Sequence, residues 1–232
     1  MLAVILMSGR GERFSKFGFK DPKPLIQLGE KMMFEYSVDH FAHPNKFLFV
    51  VTNNINENPK FINFINNFDY EYEIIIHDQV TNGQATSLYL AVKNFSDEQG
   101  FFVSSCDLSF KKIKNVPLNE NIIFTTRPKK VNFENSDQYG WVDQVHNKYK
   151  ITCKKMPKTS NELGVVIGCF YFRSLIDFKT AYENMVKANS KINNEYYLDN
   201  IFNFEPLNNY ISVFQVDNYK SFGSPQEIKE EK

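Results

Sequence analysis

An apolar run from Leu2 to Met7 breaks at Ser8-Gly9-Arg10-Gly11-Glu12-Arg13, and this junction limits the folds open to the chain. Such a run, bounded by a turn, has the length of a buried strand and is too short for a helix. Glycines let backbone amides come close to a ligand, and the segment after them can start a helix whose N-terminus favours an anion. Arg10 and Arg13 ride on the same turn. The opening is therefore a candidate phosphate cradle contributed by Met7, Ser8, Gly9, Arg10, Gly11 and Arg13. Soon after, in Lys20-Asp21-Pro22-Lys23-Pro24-Leu25, prolines fix the backbone on both sides of Lys23. A lysine held this stiffly loses little further entropy on meeting a charged partner, so Lys23 suits a second phosphate contact.

The following stretch alternates strand and helix patterns. Residues 30–42 place Met33, Tyr36, Ser37 and Phe41 on one face, which predicts a helix returning to a sheet. Lys46 to Thr52 is a continuous apolar run and a second buried strand; Asn53 to Asn58 is a polar turn closed by Pro59. Phe61, Phe64, Ile65 and Phe68 have helical spacing, and Tyr72 to His77 makes a third strand. Gly83 precedes a helix over Ala85 to Val92, and Phe101 to Ser105 is a fourth strand, ending at Cys106-Asp107. This alternation predicts an α/β fold, a three-layer Rossmann-like domain with a mostly parallel mixed sheet flanked by helices.

The second half is less regular. Asn121 to Thr126 reads as a strand, and Tyr139 to Val145 with Lys148 to Cys153 as a hairpin around His146-Asn147. Leu163 to Arg173 reads as a strand interrupted by Gly168, where a backbone or ligand comes close. A helix over Leu175 to Ala188 and a strand over Tyr210 to Val216 complete the pattern. We expect one domain over residues 1–232, with a first half to about 110 and a second half beyond it.

Composition excludes several function classes. Lysine plus arginine equals aspartate plus glutamate at 27 each, so no overall field draws the chain to nucleic acid or an anionic membrane. Phosphate binding must then come from locally placed cations. The pair Lys129-Lys130 reads as solvated surface. Cys106, Cys153 and Cys169 form neither a metal pattern nor a disulfide framework, which points to a reducing cytoplasm. The apolar start is too short for a membrane span. The 23 phenylalanines fall at core-like spacings and read as packing material.

In an open α/β sheet, ligands bind beyond the carboxyl ends of the strands. Asp107 follows such a strand, facing the phosphate turn, and suits Mg²⁺, which needs only one or two carboxylates because phosphate oxygens and water complete its shell.

Gly9-Arg10-Gly11-Glu12-Arg13-Phe14 paired with Pro22-Lys23-Pro24-Leu25-Ile26 resembles the signature of the nucleoside-diphosphate-sugar pyrophosphorylases, nucleotidyltransferases that activate sugar phosphates. The resemblance extends from Ala3 to about Ile228 and is weakest between 110 and 150. It implies that Gly9, Gly11 and Arg13 hold a triphosphate, that Lys23 bridges nucleotide and acceptor phosphate, and that Asp107 holds Mg²⁺. It also implies that Gly83 and Gln84, in a G-x-A-x-x-L-like segment, with Gln79 shortly before it, cover the nucleotide base, where Gln84 suits a pyrimidine edge. Lys155 stands in for the lysine of an E-K-P-like segment, although Lys154 competes for the role and the glutamate is missing. Glu195 and Tyr197, in Asn194-Glu195-Tyr196-Tyr197, match a G-E-[FY]-Y motif that contacts the acceptor, with Gly168 beside them. Near the C-terminus, Gly223-Ser224-Pro225 matches a G-T-P turn, but Ser221 stands where many relatives have a second metal aspartate, leaving Asp217 as the nearest aspartate.

The implied activity joins a nucleoside monophosphate from CTP, UTP or dTTP to a sugar-1-phosphate or similar small phosphorylated acceptor, releasing pyrophosphate. The similarity is to small bacterial enzymes serving capsule or lipopolysaccharide synthesis, and it leaves open a homo-oligomer and a non-sugar acceptor such as phosphocholine. A GT-A glycosyltransferase would have a D-x-D motif, where this chain has Asp107-Leu108-Ser109. A nicotinamide-dependent oxidoreductase would have the full glycine fingerprint and an acidic residue after the second strand, where Thr52-Asn53-Asn54 stands. A non-catalytic nucleotide sensor would bind triphosphate without releasing pyrophosphate.

Overall fold

The computed structural model describes residues 1–41, 44–96, 99–111, 116–145, 148–158 and 163–229. Its centre is a nine-stranded sheet. Along the main path the order is Lys148–Cys153, Gly140–Val145, Leu163–Phe172, Phe101–Ser105, Leu2–Leu6, Lys46–Thr52 and Tyr72–His77. Asn121–Thr126 pairs with Leu163–Phe172 and with Ile211–Gln215. The opening strand runs parallel to both neighbours, with Leu2 opposite Lys46 and Phe101, and Leu6 opposite Val50 and Ser105. Among the described strands of this sheet, Leu163–Phe172 and Lys148–Cys153 run against the rest. The expected mixed, mostly parallel sheet is observed.

The period-two pattern of the strands divides the core into two faces. Ala3, Ile5, Phe47, Phe49 and Val51 point to one side, where the helices Met33–Asp39 and Pro59–Asn66 pack. Val4, Leu6, Leu48 and Val50 point to the other, under Gln84–Val92 and Leu175–Lys187. Many phenylalanines are ring-to-ring contacts on the first face: Phe34 meets Phe49, Phe61 and Phe64, each edge-on. They are core, as their spacing predicts.

Several local expectations change. The predicted helix over 30–42 is shorter, Met33–Asp39, because Lys31–Met32 pairs back onto Gln27–Leu28 as a small hairpin; Ala42 lies outside the described residues. The predicted turn after Thr52 contains one helical turn, Asn53–Asn56. The hairpin strands Gly140–Val145 and Lys148–Cys153 form as expected, while the turn at His146-Asn147 lies outside the described residues. At Gly168 the register of the long strand shifts between Val166 and Phe170, so the expected interruption is a bulge. No helix among the described residues is long and apolar enough to cross a membrane.

Candidate active site

Parallel register aligns the strand ends. Because Leu6 lies opposite Ser105, the turn after the first strand and Cys106-Asp107 leave the sheet side by side. They open into a cavity of about 620 Å³ at the carboxyl ends of the parallel strands. Met7, Ser8, Gly9, Arg10, Gly11 and Arg13 all line it. The helix after the turn, Glu12–Lys16, is barely more than one turn long, so the loop amides and the arginines carry more of any anion attraction than a helix dipole does.

Gly11 joins the two N-terminal motifs. Its φ is +63°, in the left-handed region, and a Cβ there would lie 3.1 Å from the Cβ of Lys23. Glycine thus lets the phosphate turn press onto the Pro-Lys-Pro segment. Lys23 begins a tight turn, Lys23–Leu25, in which the amide of Leu25 donates to the carbonyl of Pro22 at 2.8 Å. Pro24, Leu25 and Ile26 are buried beneath it. From this anchor Lys23 Nζ reaches Asp107 Oδ2 at 2.5 Å, with about a fifth of each side chain exposed to the cavity. Burial works against both charges, yet the mutual attraction wins: the lysine is raised above its ordinary pKa and the aspartate held below its own. Both are therefore charged at neutral pH.

A second wall is built by the loop before Gln84–Val92. Val80, Thr81, Gly83 and Gln84 line the cavity, whereas Gln79 is exposed and is not among the lining residues. Buried Ser8 donates to Ser87 Oγ at 3.2 Å, and Thr81 and Ser87 share a hydroxyl bond of 2.6 Å, so a hydroxyl network floors this end. Gly83, at φ +108°, touches the second motif loop: a Cβ there would lie 2.6 Å from the carbonyl oxygen of Tyr196. The amide of Tyr196 donates to Asn82 O at 2.7 Å, and that of Ala85 to Tyr196 O at 3.0 Å. The loop before Gln84–Val92 and the Glu195–Tyr197 loop are thus zipped backbone to backbone.

At the other end, Glu195, Tyr197 and Gly168 line the cavity. Asn193 and Asn194 both have positive φ, 49° and 64°, and Ile192 and Glu195 exchange backbone hydrogen bonds of 3.0 Å around them. Asparagine tolerates this left-handed turn, which explains how Asn194 replaces the motif's glycine. Of the two lysines, Lys154 lines the cavity and Lys155 does not. Lys154 has a φ of 56°, its Nζ donates to Gln138 O at 2.5 Å, and it lies 5.4 Å from the ring centre of Tyr197. A bulky residue in this conformation is strained, as residues at functional sites often are.

Sequence reasoning missed Asp199, Tyr139, Tyr219 and Glu227, all of which line the cavity. Asp199 is buried over Gly140, whose missing side chain leaves room for the carboxylate; burial, resisted by Cys153 and Lys154, raises its pKa. Its position beside the Glu195-Tyr196-Tyr197 motif was the available signal. Tyr219 and Glu227 arrive because Lys220–Ser221 pairs antiparallel with Leu108–Ser109 and the amide of Phe222 donates to Asp107 O at 2.7 Å. Asp217 is exposed before this pairing and is not among the lining residues. All three cysteines are free and buried, and burial pushes the Cys106 thiol up to about 12. No group of three or more histidine, cysteine or acidic side chains able to hold a metal occurs among the described residues.

Residues 3–114 match the family model of the MobA-like NTP transferase domain. No curated protein matches the chain. The fold is shared with solved structures at low identity. A nucleoside-diphosphate-sugar pyrophosphorylase from Vibrio cholerae RC9 superposes with a TM-score of 0.79 at 17% identity, over 100% of this chain and 99% of that one. An inositol-1-phosphate CTP transferase from T. maritima gives 0.70 at 16%, over 97% and 90%. A protein described as a glucose-1-phosphate thymidylyltransferase from Bacillus anthracis gives 0.73 at 14%, over 100% and 94%. Residues 3–114, which hold the glycine turn, Lys23 and Asp107, are similar to the MobA-like NTP transferase domain, the fold is the one shared by these solved nucleotidyltransferases, and nucleotidyl transfer is the reaction class.

Proposed function

We propose that the chain transfers a nucleoside monophosphate from a pyrimidine triphosphate (CTP, UTP or dTTP) to a sugar-1-phosphate or similarly small phosphorylated acceptor. The observation that carries this reading is the Lys23–Asp107 contact of 2.5 Å, set between the glycine turn and the Glu195–Tyr197 loop in one cavity. A phosphate oxygen of the acceptor forms the new bond to the α-phosphorus, and the bond from that phosphorus to the β-phosphate oxygen breaks, so pyrophosphate leaves. The acceptor phosphate is already ionised, and no protein nucleophile is needed. Catalysis then consists of positioning two polyanions and stabilising their charge.

Arg13 faces the triphosphate and stabilises the leaving pyrophosphate, and Lys23 draws the acceptor phosphate towards the α-phosphorus. Gln84 hydrogen-bonds the base edge, while Glu195 accepts from acceptor hydroxyls with Tyr197 and Lys154 beside it. The residues fit a magnesium ion: Asp107 Oδ2, Ser221 Oγ and Glu227 Oε2 each lie within 3.5 Å of the position that a Cβ on Gly223 would take, a hard-oxygen set of the kind Mg²⁺ prefers. Held by Asp107, Mg²⁺ would supply charge neutralisation for the phosphates. We read the whole chain as one catalytic domain of surface-polysaccharide precursor synthesis in the cytoplasm, a reading that its free, buried cysteines favour.

Thermal unfolding with Mg²⁺ against CTP, UTP, dTTP, GTP, ATP, UDP-sugars and NAD tests the reading. A triphosphate at about 100 times its Kd should add roughly 2.7 kcal/mol. Stabilisation by one pyrimidine triphosphate is expected. Stabilisation by a nucleotide sugar with none from any triphosphate would overturn the reading in favour of a glycosyltransferase.

A further inference from the structure

Near the C-terminus the chain departs from the pattern its N-terminal motifs follow: Ser221 occupies a position where a carboxylate was expected, and exposed Asp217 does not line the cavity. The geometry around Gly223 points to a replacement. An ideal Cβ built on Gly223 would lie 3.4 Å from Glu227 Oε2, 3.4 Å from Ser221 Oγ and 3.5 Å from Asp107 Oδ2, its nearest atoms beyond Phe222 and Ser224. Three hard oxygens, two of them from carboxylates, thus converge on a small space at the cavity wall that a side chain at 223 would fill. Each pair of these oxygens is separated by no more than about 7 Å, since each lies within 3.5 Å of the same point. That span suits a cation which keeps part of its water shell, as Mg²⁺ does.

The placement is built by packing and capping around Glu227 and Ser221. The helix Pro225–Lys229 is anchored through Ile228 in a small core with Phe14, Ile26, Met33 and Phe222. Phe14 and Ile26 belong to the phosphate turn's helix and to the segment after Lys23, so the same core seats the cradle and Glu227. The Lys220–Ser221 pairing with Leu108–Ser109 fixes Ser221 beside Asp107. The amide and hydroxyl of Ser224 both donate to Glu227 Oε2, at 2.8 and 3.1 Å, in a helix-capping arrangement. Both cap bonds fall on Oε2, so the cap pins the carboxylate with Oε1 outside it. Asp107 Oδ2, although held by Lys23, has a second lone pair.

We propose that Glu227 is the second protein carboxylate for the divalent cation, acting with Asp107 and with Ser221 Oγ, directly or through a metal-bound water. This rests on the nucleotidyl-transfer reading for the identity of the cation, but it concerns residues of this chain and can fail independently. The competing explanation for Glu227 is that it only caps its helix.

Glu227→Gln separates the two roles, because glutamine also serves in a capping box while losing the charge. The probe is Mn²⁺ alone, followed by the loss of its free-ion electron paramagnetic resonance signal, with Mg²⁺ as competitor. The wild type should bind one Mn²⁺ that Mg²⁺ displaces. Glu227→Gln should weaken binding at least about tenfold, within the range seen for perturbed ligand shells, while metal-free thermal stability stays unchanged. Gly223→Ala is the second variant: its new methyl meets only ordinary contacts of 3.4–3.5 Å, so the fold should hold while the space between the oxygens closes. It too should weaken Mn²⁺ at least about tenfold. Wild-type Mn²⁺ affinity in Glu227→Gln would overturn the proposal, as would a wild type that binds no Mn²⁺. If Glu227→Gln unfolds, Gly223→Ala alone decides. Triphosphate binding measured by thermal unfolding without metal reports on the broader reading separately.

Discussion

His40 is 1% exposed, lies flat against Phe110 at 4.1 Å between ring centres, and meets Phe41 edge-on at 4.5 Å. Neither ring nitrogen has a hydrogen-bond partner among the described residues. Burial alone lowers its pKa from 6.5 to about 3. A base with a depressed pKa in the folded state binds its proton first in the unfolded chain, so stability rises with pH between the two values. The contribution is fully present above about pH 6.5 and is lost as pH falls towards 3. The full difference of about 3.5 pH units corresponds to ~4.8 kcal/mol at ~1.36 kcal/mol per unit, and about 2 kcal/mol of it falls between pH 7 and pH 5. In that interval Asp107, held below the usual carboxylate range, stays ionised. Urea unfolding of wild type and His40→Leu at pH 7, 6 and 5 isolates the term. The wild type should lose about 2 kcal/mol more than the variant over this range, while the variant at pH 7 should stay within about 1 kcal/mol of wild type. Parallel pH profiles for the two proteins would refute the assignment of a neutral, unpaired His40 to the core.

Four further outcomes are expected. Lys23→Ala and Asp107→Ala should each lower turnover by at least a few hundredfold, the scale of losing one preorganised electrostatic contact, and near-wild-type turnover in either would remove that residue from the mechanism. Gly11→Ala should cost about 1–2 kcal/mol in urea unfolding, because a side chain at φ +63° is strained and its Cβ crowds Lys23; an unchanged midpoint would contradict this. Gly83→Ala, whose Cβ would meet the Tyr196 backbone, should weaken nucleotide and acceptor together in equilibrium titrations, whereas loss of one affinity alone would mean that the two loops are not coupled. Lys154→Ala should raise KM for the acceptor about tenfold or more and Lys155→Ala less than about twofold, on the scale of one charge-assisted hydrogen bond; the reverse order would return the role to Lys155.

The strands were legible because buried parallel strands are continuous apolar runs, and Leu2–Leu6, Lys46–Thr52, Tyr72–His77 and Phe101–Ser105 all lie in the sheet. The placing of the glycine turn and Asp107 side by side was legible for a related reason, since both follow strands whose ends the parallel register aligns, whereas the direct contact of Lys23 with Asp107 was not foreseen. Short elements were harder to read. The Gln27–Leu28 and Lys31–Met32 hairpin took residues that helical periodicity had claimed, since two-residue strands leave no pattern. The choice between Lys154 and Lys155 depended on a backbone at φ 56°, which sequence does not announce. Glu227 was invisible because it reaches the cavity through the pairing of Lys220–Ser221 with Leu108–Ser109, a contact across more than a hundred residues.

In the proposed reaction one cavity brings a triphosphate's α-phosphorus to an acceptor phosphate held by Lys23. Its most direct test is a single-turnover reaction with Mg²⁺, the stabilising triphosphate and a panel of sugar-1-phosphates and phosphocholine. Pyrophosphate and the nucleoside-diphosphate-linked acceptor would be quantified together. The account predicts equal amounts of the two products with one acceptor class, and neither from Lys23→Ala on the same timescale. Triphosphate binding with no pyrophosphate from any acceptor, or product formation undiminished in Lys23→Ala, would contradict it.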